Sequence, residues 1–175
     1  GRTHMKRFGL FGWLTALLAS ALLTGCFEEE KVSLSYLGVN HTDKEVVVVA
    51  INGEGGILNV PAQGGGGGTV CCVTLPRKWR PGLTVKIDWQ EDGHWLLDEN
   101  GKPVLRRGVK VLVEEPWQSQ TVEVPEYGEH DLSHFDIHFF PGGKVQVKAS
   151  FIYPWHPDYR PAYPVQKPAH SSTQP

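Results

Sequence analysis

His134-Phe-Asp-Ile-His-Phe-Phe140, then Pro141-Gly-Gly143, then Lys144-Val-Gln-Val-Lys-Ala-Ser-Phe151: this stretch decides the fold class. In the first run Phe135, Ile137 and Phe139 alternate with His134, Asp136 and His138. In the last, Val145, Val147 and Ala149 alternate with polar neighbours. A period of two puts the apolar set on one face of a strand and the polar set on the other. A Pro-Gly-Gly link between two such runs predicts a tight β-hairpin.

The pattern recurs upstream. Leu83, Val85, Ile87 and Trp89 oppose Thr84, Lys86 and Asp88, the mark of a half-buried strand. Val32, Leu34 and Tyr36 oppose Ser33 and Ser35. Val46 to Val49 places four β-branched residues in a row, which predicts a strand buried on both faces, ended by the turn residues Asn52-Gly53. Val70 to Leu75, Trp95 to Leu97 and Thr121 to Val124 read as further strands. Val104 to Val113 reads as one strand with Val109, Val111 and Val113 on a common face. Glu91-Asp92-Gly93 and Glu99-Asn100-Gly101 read as turns. No segment after residue 26 carries a helical period. Seven to nine short strands predict an all-β domain over residues 32–153, a single antiparallel β-sandwich or an open barrel.

From Pro154 the composition changes. Five prolines (Pro154, Pro157, Pro161, Pro164, Pro168) interleave with Trp155, Tyr159 and Tyr163. Such a segment, residues 154–175, favours extended geometry and cannot join a central strand. Its aromatics are expected to pack the first half onto the sandwich, and Ala169 to Pro175 is expected to be disordered.

The other end reads as a secretion signal. Lys6 and Arg7 precede an uncharged apolar run from Phe8 to Leu23, closed by Leu23-Thr24-Gly25-Cys26. A positive start, an apolar stretch and small residues before a cut site define such a leader. Met5 is the expected natural start, with residues 1–4 an extension. The closing residues match the lipobox of bacterial lipoproteins. That resemblance implies removal of residues 1–25, acylation of Cys26, and a lipid anchor at the new N-terminus. An uncleaved membrane span is the alternative, but the run falls short of the ~20 residues needed. Phe27 stands where an Asp would mark inner-membrane retention, which resembles an outer-membrane address with the domain facing the periplasm. Residues 26–31, with Glu28-Glu29-Glu30, read as a solvated tether.

Cleavage would leave 150 residues, enough for one domain with a modest core. It would remove Arg2, Lys6 and Arg7, leaving 14 of the 17 basic residues against 19 acidic ones. No basic stripe with interleaved aromatics is visible, so a nucleic-acid partner is not expected. Cys71 and Cys72 are adjacent. An oxidising periplasm permits a disulfide between them. Neighbours on a strand point to opposite faces, however, so two reduced thiols are the preferred expectation. The pair lacks the two-residue spacer of a thioredoxin-like site.

Few residues suggest chemistry. His134, Asp136 and His138 share a strand face and could hold zinc or copper. The plainer reading is an exposed polar face, and no cofactor is expected. No Gly-x-Ser-x-Gly elbow supplies a nucleophile, so no enzyme is expected. The pentaglycine Gly64 to Gly68, with Gly66 at its centre, reads as a flexible loop able to mould to a partner. An anion nest of backbone N–H groups is the other option. Trp79 and Arg80 are types enriched at interface hot spots, though Trp79 could equally cover one end of the core. Trp155, His156, Asp158 and Tyr159 complete the candidate contacts. The plainer reading of His156 to Tyr159 is a turn.

Gly64 to Gly68, Thr69-Val-Cys71-Cys72-Val-Thr-Leu-Pro76 and Trp79-Arg80-Pro81-Gly82 together resemble a family of bacterial lipoproteins of unknown molecular function. Gly38-Val-Asn-His41-Thr42, Phe140-Pro-Gly-Gly143 and His156-Pro-Asp158-Tyr159 resemble it too. The likeness covers almost the whole chain after Cys26. It implies a gene setting beside type VI secretion effectors, notably phospholipases, and so an immunity protein that binds a secreted toxin. A structural or assembly module of the envelope, binding another membrane protein or a glycan, is the alternative.

Overall fold

The computed structural model describes residues 28–56 and 59–165. The expected leader, Cys26 and residues 166–175 lie outside the described residues. No helix among the described residues is long and apolar enough to cross a membrane.

From Lys31 onward the chain is built on strands. One sheet holds β1 (Lys31–Asn40), β4 (Gly64–Pro76), β11 (His134–Phe140) and β12 (Lys144–Ser150), in the order β12-β11-β1-β4. The other holds β2 (Val46–Ile51), β3 (Glu54–Gly56), β5 (Thr84–Glu91) and β10 (Gln118–Glu123), in the order β10-β5-β2-β3. Their inner faces share one core. Leu34, Tyr36, Phe135, Ile137, Phe139, Val145 and Val147 from the first sheet meet Val49, Ile51, Val85, Ile87 and Trp89 from the second. Trp89 and Phe139 meet across it with ring centres 5.7 Å apart. Each such side chain, fully buried, contributes roughly 1.5–3 kcal/mol of transfer free energy as an upper estimate. The fold is therefore a sandwich and not a closed barrel.

The hairpin forms as its sequence predicts. Phe140 pairs with Lys144, and Gly142 and Gly143 take φ of +80° and +72°, the left-handed region that glycine enters without steric cost. The sandwich is not wholly antiparallel, because β1 runs parallel to β11. The whole second sheet lies between them in sequence, so the link is a long crossover and not a turn.

Four local expectations need correction. The valine run is deeply buried on one face only. A bulge between Val46 and Val48 turns Val46 and Val49 the same way, leaving Val47 and Val48 half-buried. The stretch Val104 to Val113 is not one strand. It breaks into β7 (Leu105–Arg106), β8 (Val109–Lys110) and β9 (Leu112–Val113), because Arg107 and Gly108 make a tight turn with φ of +51° and +79°. The pentaglycine is not a loop but the first part of β4, with Gly64, Gly65 and Gly66 opposite Asn40, Val39 and Gly38. Finally, Cys71 and Cys72 are joined by a disulfide, across a cis peptide bond. The strand skips register there: Leu34 faces Val73 and Ser35 faces Cys71, so the pair sits in a bulge that escapes the alternation on which two thiols were expected.

Candidate functional site

The outer face of the β12-β11-β1-β4 sheet carries a third layer. Residues 151–165 cross it, and the reason lies in what β1 and β11 expose there. Register sets Leu37 beside Asp136 and Val39 beside His138, so this face mixes apolar and polar groups. A strand face left open to water would not bury Leu37 and Val39, which are 6% and 0% exposed. Tyr159 closes it. This tyrosine is fully buried, and its hydroxyl donates to Asp136 Oδ2 at 2.7 Å.

From that bond the proton positions of a five-residue chain follow. With its own proton spent on Asp136, the Tyr159 oxygen accepts from His138 Nε2–H at 2.7 Å. His138 then holds its proton on Nε2, so Nδ1 accepts from His41 Nε2–H at 3.0 Å. At the far end His134 Nδ1–H donates to Asp136 Oδ1 at 2.8 Å. The order is His41, His138, Tyr159, Asp136, His134, with Asp136 the acceptor from both sides. Burial, then the neighbouring His41 and Lys148, push His138 down to about 3, so its ring is neutral at neutral pH. Burial also lowers His41. Burial first, and Asp136 second, raise Tyr159 far above its usual value, which keeps its donating proton in place.

His134, Asp136 and His138 are thus not an exposed polar face. They are 3%, 0% and 1% exposed, and apart from His134 Nε2 they spend their polar atoms on one another and on Tyr159 and His41. The tail, invisible to a strand-by-strand reading, is the reason. No group of three metal-ligating side chains converges among the described residues. Ser150 stands opposite His134 in register, but its hydroxyl donates to Ile152 O at 2.8 Å. His134 Nε2 has no hydrogen-bond partner among the described residues, and the ring is covered by Tyr153, stacked at 4.4 Å and 9°.

That stack continues outward. Trp155 lies on Tyr153 at 4.7 Å and 8°, and it is 63% exposed. Beside it is a cavity of about 180 Å³, lined by Leu37, Val39, Gly65, Pro154, Trp155 and Tyr163. One glycine of the run, Gly65, is explained here. Gly65 N–H donates to Tyr163 OH at 2.6 Å, and a Cβ at Gly65 would fall 2.8 Å from that oxygen. A larger cavity of about 310 Å³ lies between β10, β12 and the tail, with Glu123, Glu126, Asp131, Lys148 and Arg160 in its wall.

The expected contact residues therefore separate. Trp155, His156 and Asp158 are exposed on the tail, whereas Tyr159 is interior and offers no contact surface. Trp79 is half-buried against the core with Nε1–H donating to Val124 O at 2.9 Å, while Arg80 is exposed at the end of the sandwich.

Sequence reading missed a further surface. Residues 93–117 leave the second sheet as an excursion held by β6 (His94–Trp95) pairing with β9, and by β7 pairing with β8. Trp95, Leu97, Leu105, Val109, Leu112 and Trp117 are all exposed on it. The available signal was Leu105-Arg-Arg-Gly-Val109, a turn between two apolar residues.

A family described as "Protein of unknown function (DUF3304)" matches residues 39–147. The chain belongs to that family. No curated protein and no solved structure matches it. The DUF3304 span begins in β1 and ends in β12, so it takes in both sheets, the cysteine pair, the excursion, and His41, His134, Asp136 and His138. It stops short of Tyr153, Trp155 and Tyr159, the side chains that cover this DUF3304 sheet and build the aromatic stack.

Proposed function

We propose that this chain is a lipoprotein anchored through Cys26 in the outer membrane, facing the periplasm, and that it acts by binding a protein. In this reading the partner is a secreted toxin, a type VI (phospho)lipase effector. The chain neutralises it as an immunity protein by occluding the mouth of its active site. The lipobox-like Leu23-Thr24-Gly25-Cys26 supplies the address, and the family resemblance supplies the class of partner. The reading assigns no catalysis and no cofactor to the chain.

The observation that carries binding is the aromatic stack. An exposed tryptophan normally moves, and immobilising it on a partner costs entropy. Trp155 is already held on Tyr153, which is held on the buried His134, beside a cavity of about 180 Å³. Rigid, amphipathic aromatic surface next to a concavity is what interface hot spots use. The test is capture of the effector encoded beside this gene by the full chain. Trp155→Ala should weaken capture by roughly tenfold or more. An effector that kills equally well with and without this protein removes the reading.

A further inference from the structure

Within residues 102–113 the excursion holds Lys102, Arg106, Arg107 and Lys110 and no acidic residue. Setting these four aside leaves 13 of the 17 basic residues in the chain against 19 acidic ones. Charge is therefore concentrated: four cations and no acid fall within these twelve residues, in a chain whose total is acidic. All four cations are exposed, and Lys102, Arg106 and Arg107 make no ion pair among the described residues. Lys110 lies over the Trp95 ring at 5.6 Å. The acids of the excursion, Asp98, Glu99, Glu114 and Glu115, fall outside these twelve residues. Asp98 and Glu99 occupy the other turn, where Asp98 Oδ1 takes the N–H groups of Asn100 and Lys102. Glu115 at the base contacts Lys44 and His94.

The hairpin itself is two-sided. Leu105 faces Lys110 across the strands, and Arg106 faces Val109. Cross-strand partners share a face, so each face of this ribbon carries one apolar group and one cation. Leu105 is 58% exposed and Val109 68%. A ribbon that docks flat on a protein concentrates its apolar groups on one side. A ribbon with apolar groups and cations on both sides suits shallow entry into a soft surface, where the apolar groups sink and the cations, Arg107 at the turn included, reach up to anions.

We propose that the Leu105–Lys110 hairpin docks on an anionic phospholipid surface, with Leu105 and Val109 entering the interface and Lys102, Arg106, Arg107 and Lys110 held on lipid phosphates. Trp95, at the base under Lys110, is placed as an interfacial aromatic. The proposal needs neither acylation of Cys26 nor a toxin partner, so it stands or falls apart from the reading above.

The test uses residues 26–175, without the apolar run of residues 8–23 that would itself enter vesicles, with Cys26→Ser and an environment-sensitive fluorophore on Val109→Cys, under non-reducing conditions. It is mixed with vesicles of phosphatidylglycerol and phosphatidylcholine, or of phosphatidylcholine alone. A blue shift on the anionic vesicles, reduced by salt and weakened roughly tenfold or more by Arg106→Glu with Arg107→Glu, supports the proposal. The same fluorophore at Thr84→Cys, exposed at the opposite end of the β5–β10 pair from the excursion, should stay unshifted. No shift at residue 109, an equal shift on neutral vesicles, or an equal shift at residue 84 overturns it. So does a shift with the purified neighbouring effector and none with vesicles, which assigns the hairpin to a protein groove.

Discussion

On the outer face of the β12-β11-β1-β4 sheet, His134, Asp136 and His138 are almost wholly buried. On the excursion of residues 93–117, Trp95, Leu97, Leu105 and Val109 are about half exposed or more. Polar groups lie inside and apolar groups outside, each against the usual sorting. The two inversions have different costs. A buried polar group is costly unless hydrogen-bonded, so the first region is held as a chain of partners, with His134 Nε2 the one buried side-chain polar atom left unbonded among the described residues. An exposed apolar group loses little in the free protein, so the second region can be shaped by what it meets. The first is therefore a structural device that fixes the tail, and the second is surface held in reserve.

The comparison breaks most sharply at Asp136, which accepts from both Tyr159 and His134. Asp136→Ala leaves two buried donors with nothing to bond. Each such orphan costs about 1–3 kcal/mol, so a loss of about 3 kcal/mol or more in urea unfolding is expected. The tail should loosen with it, and limited proteolysis would then cut within residues 153–165. A loss below about 1 kcal/mol would mean that water already reaches this layer.

Acid tests the same region more gently. Folding holds His138 neutral, its affinity for a proton lowered from 6.5 to about 3 by burial, His41 and Lys148. The unfolded chain takes that proton near its ordinary value. Unfolding is thus coupled to proton uptake between the two, and stability rises with pH in that window. It should be fully present above about pH 6.5 and decline steadily as pH falls toward about 3. His41, lowered by burial, acts with the same sign. Melting temperatures from pH 7.5 to 4 check this, and the slope should flatten in His138→Gln. A profile flat across that range, or equally steep in the variant, would show that His138 is not held neutral by the fold.

What the sequence made legible divides along the same line. The hairpin of Phe135 to Ala149 and the strand of Val85 to Trp89 were readable because alternation reports one buried face directly. Asp136 was not readable as interior. Its burial depends on Tyr159, 23 residues later, and its neighbour on the strand face, His138, depends likewise on His41 from another strand end. Local pattern carries no information about a layer added by a distant segment. At Gly65 the run was misread for the same reason, since its N–H bonds the hydroxyl of Tyr163, a residue of the distant tail. The turn at Arg107 was missed because arginine rarely takes positive φ, and without that turn Val104 to Val113 looks like one buried strand. Between a disulfide and two free thiols, both open in the sequence, free thiols were preferred because the alternation argument fails inside a bulge.

The smallest effect is expected on the excursion. Leu105→Ser with Val109→Ser removes two large apolar groups, yet both are mostly in water already. Surface changes of this kind shift stability within about 0.5 kcal/mol each. Val147→Ser, the same chemistry at a residue 3% exposed, should cost several times more through lost burial and an unpaired hydroxyl. Urea midpoints of the two variants, side by side, measure the contrast. Should the Leu105 and Val109 variant unfold as readily as the Val147 one, the excursion would be packed structure, and its apolar side chains would no longer be surface available to a membrane. Should it keep its midpoint and gain solubility, the apolar groups are retained at no benefit to the fold, which leaves docking as their physical reason.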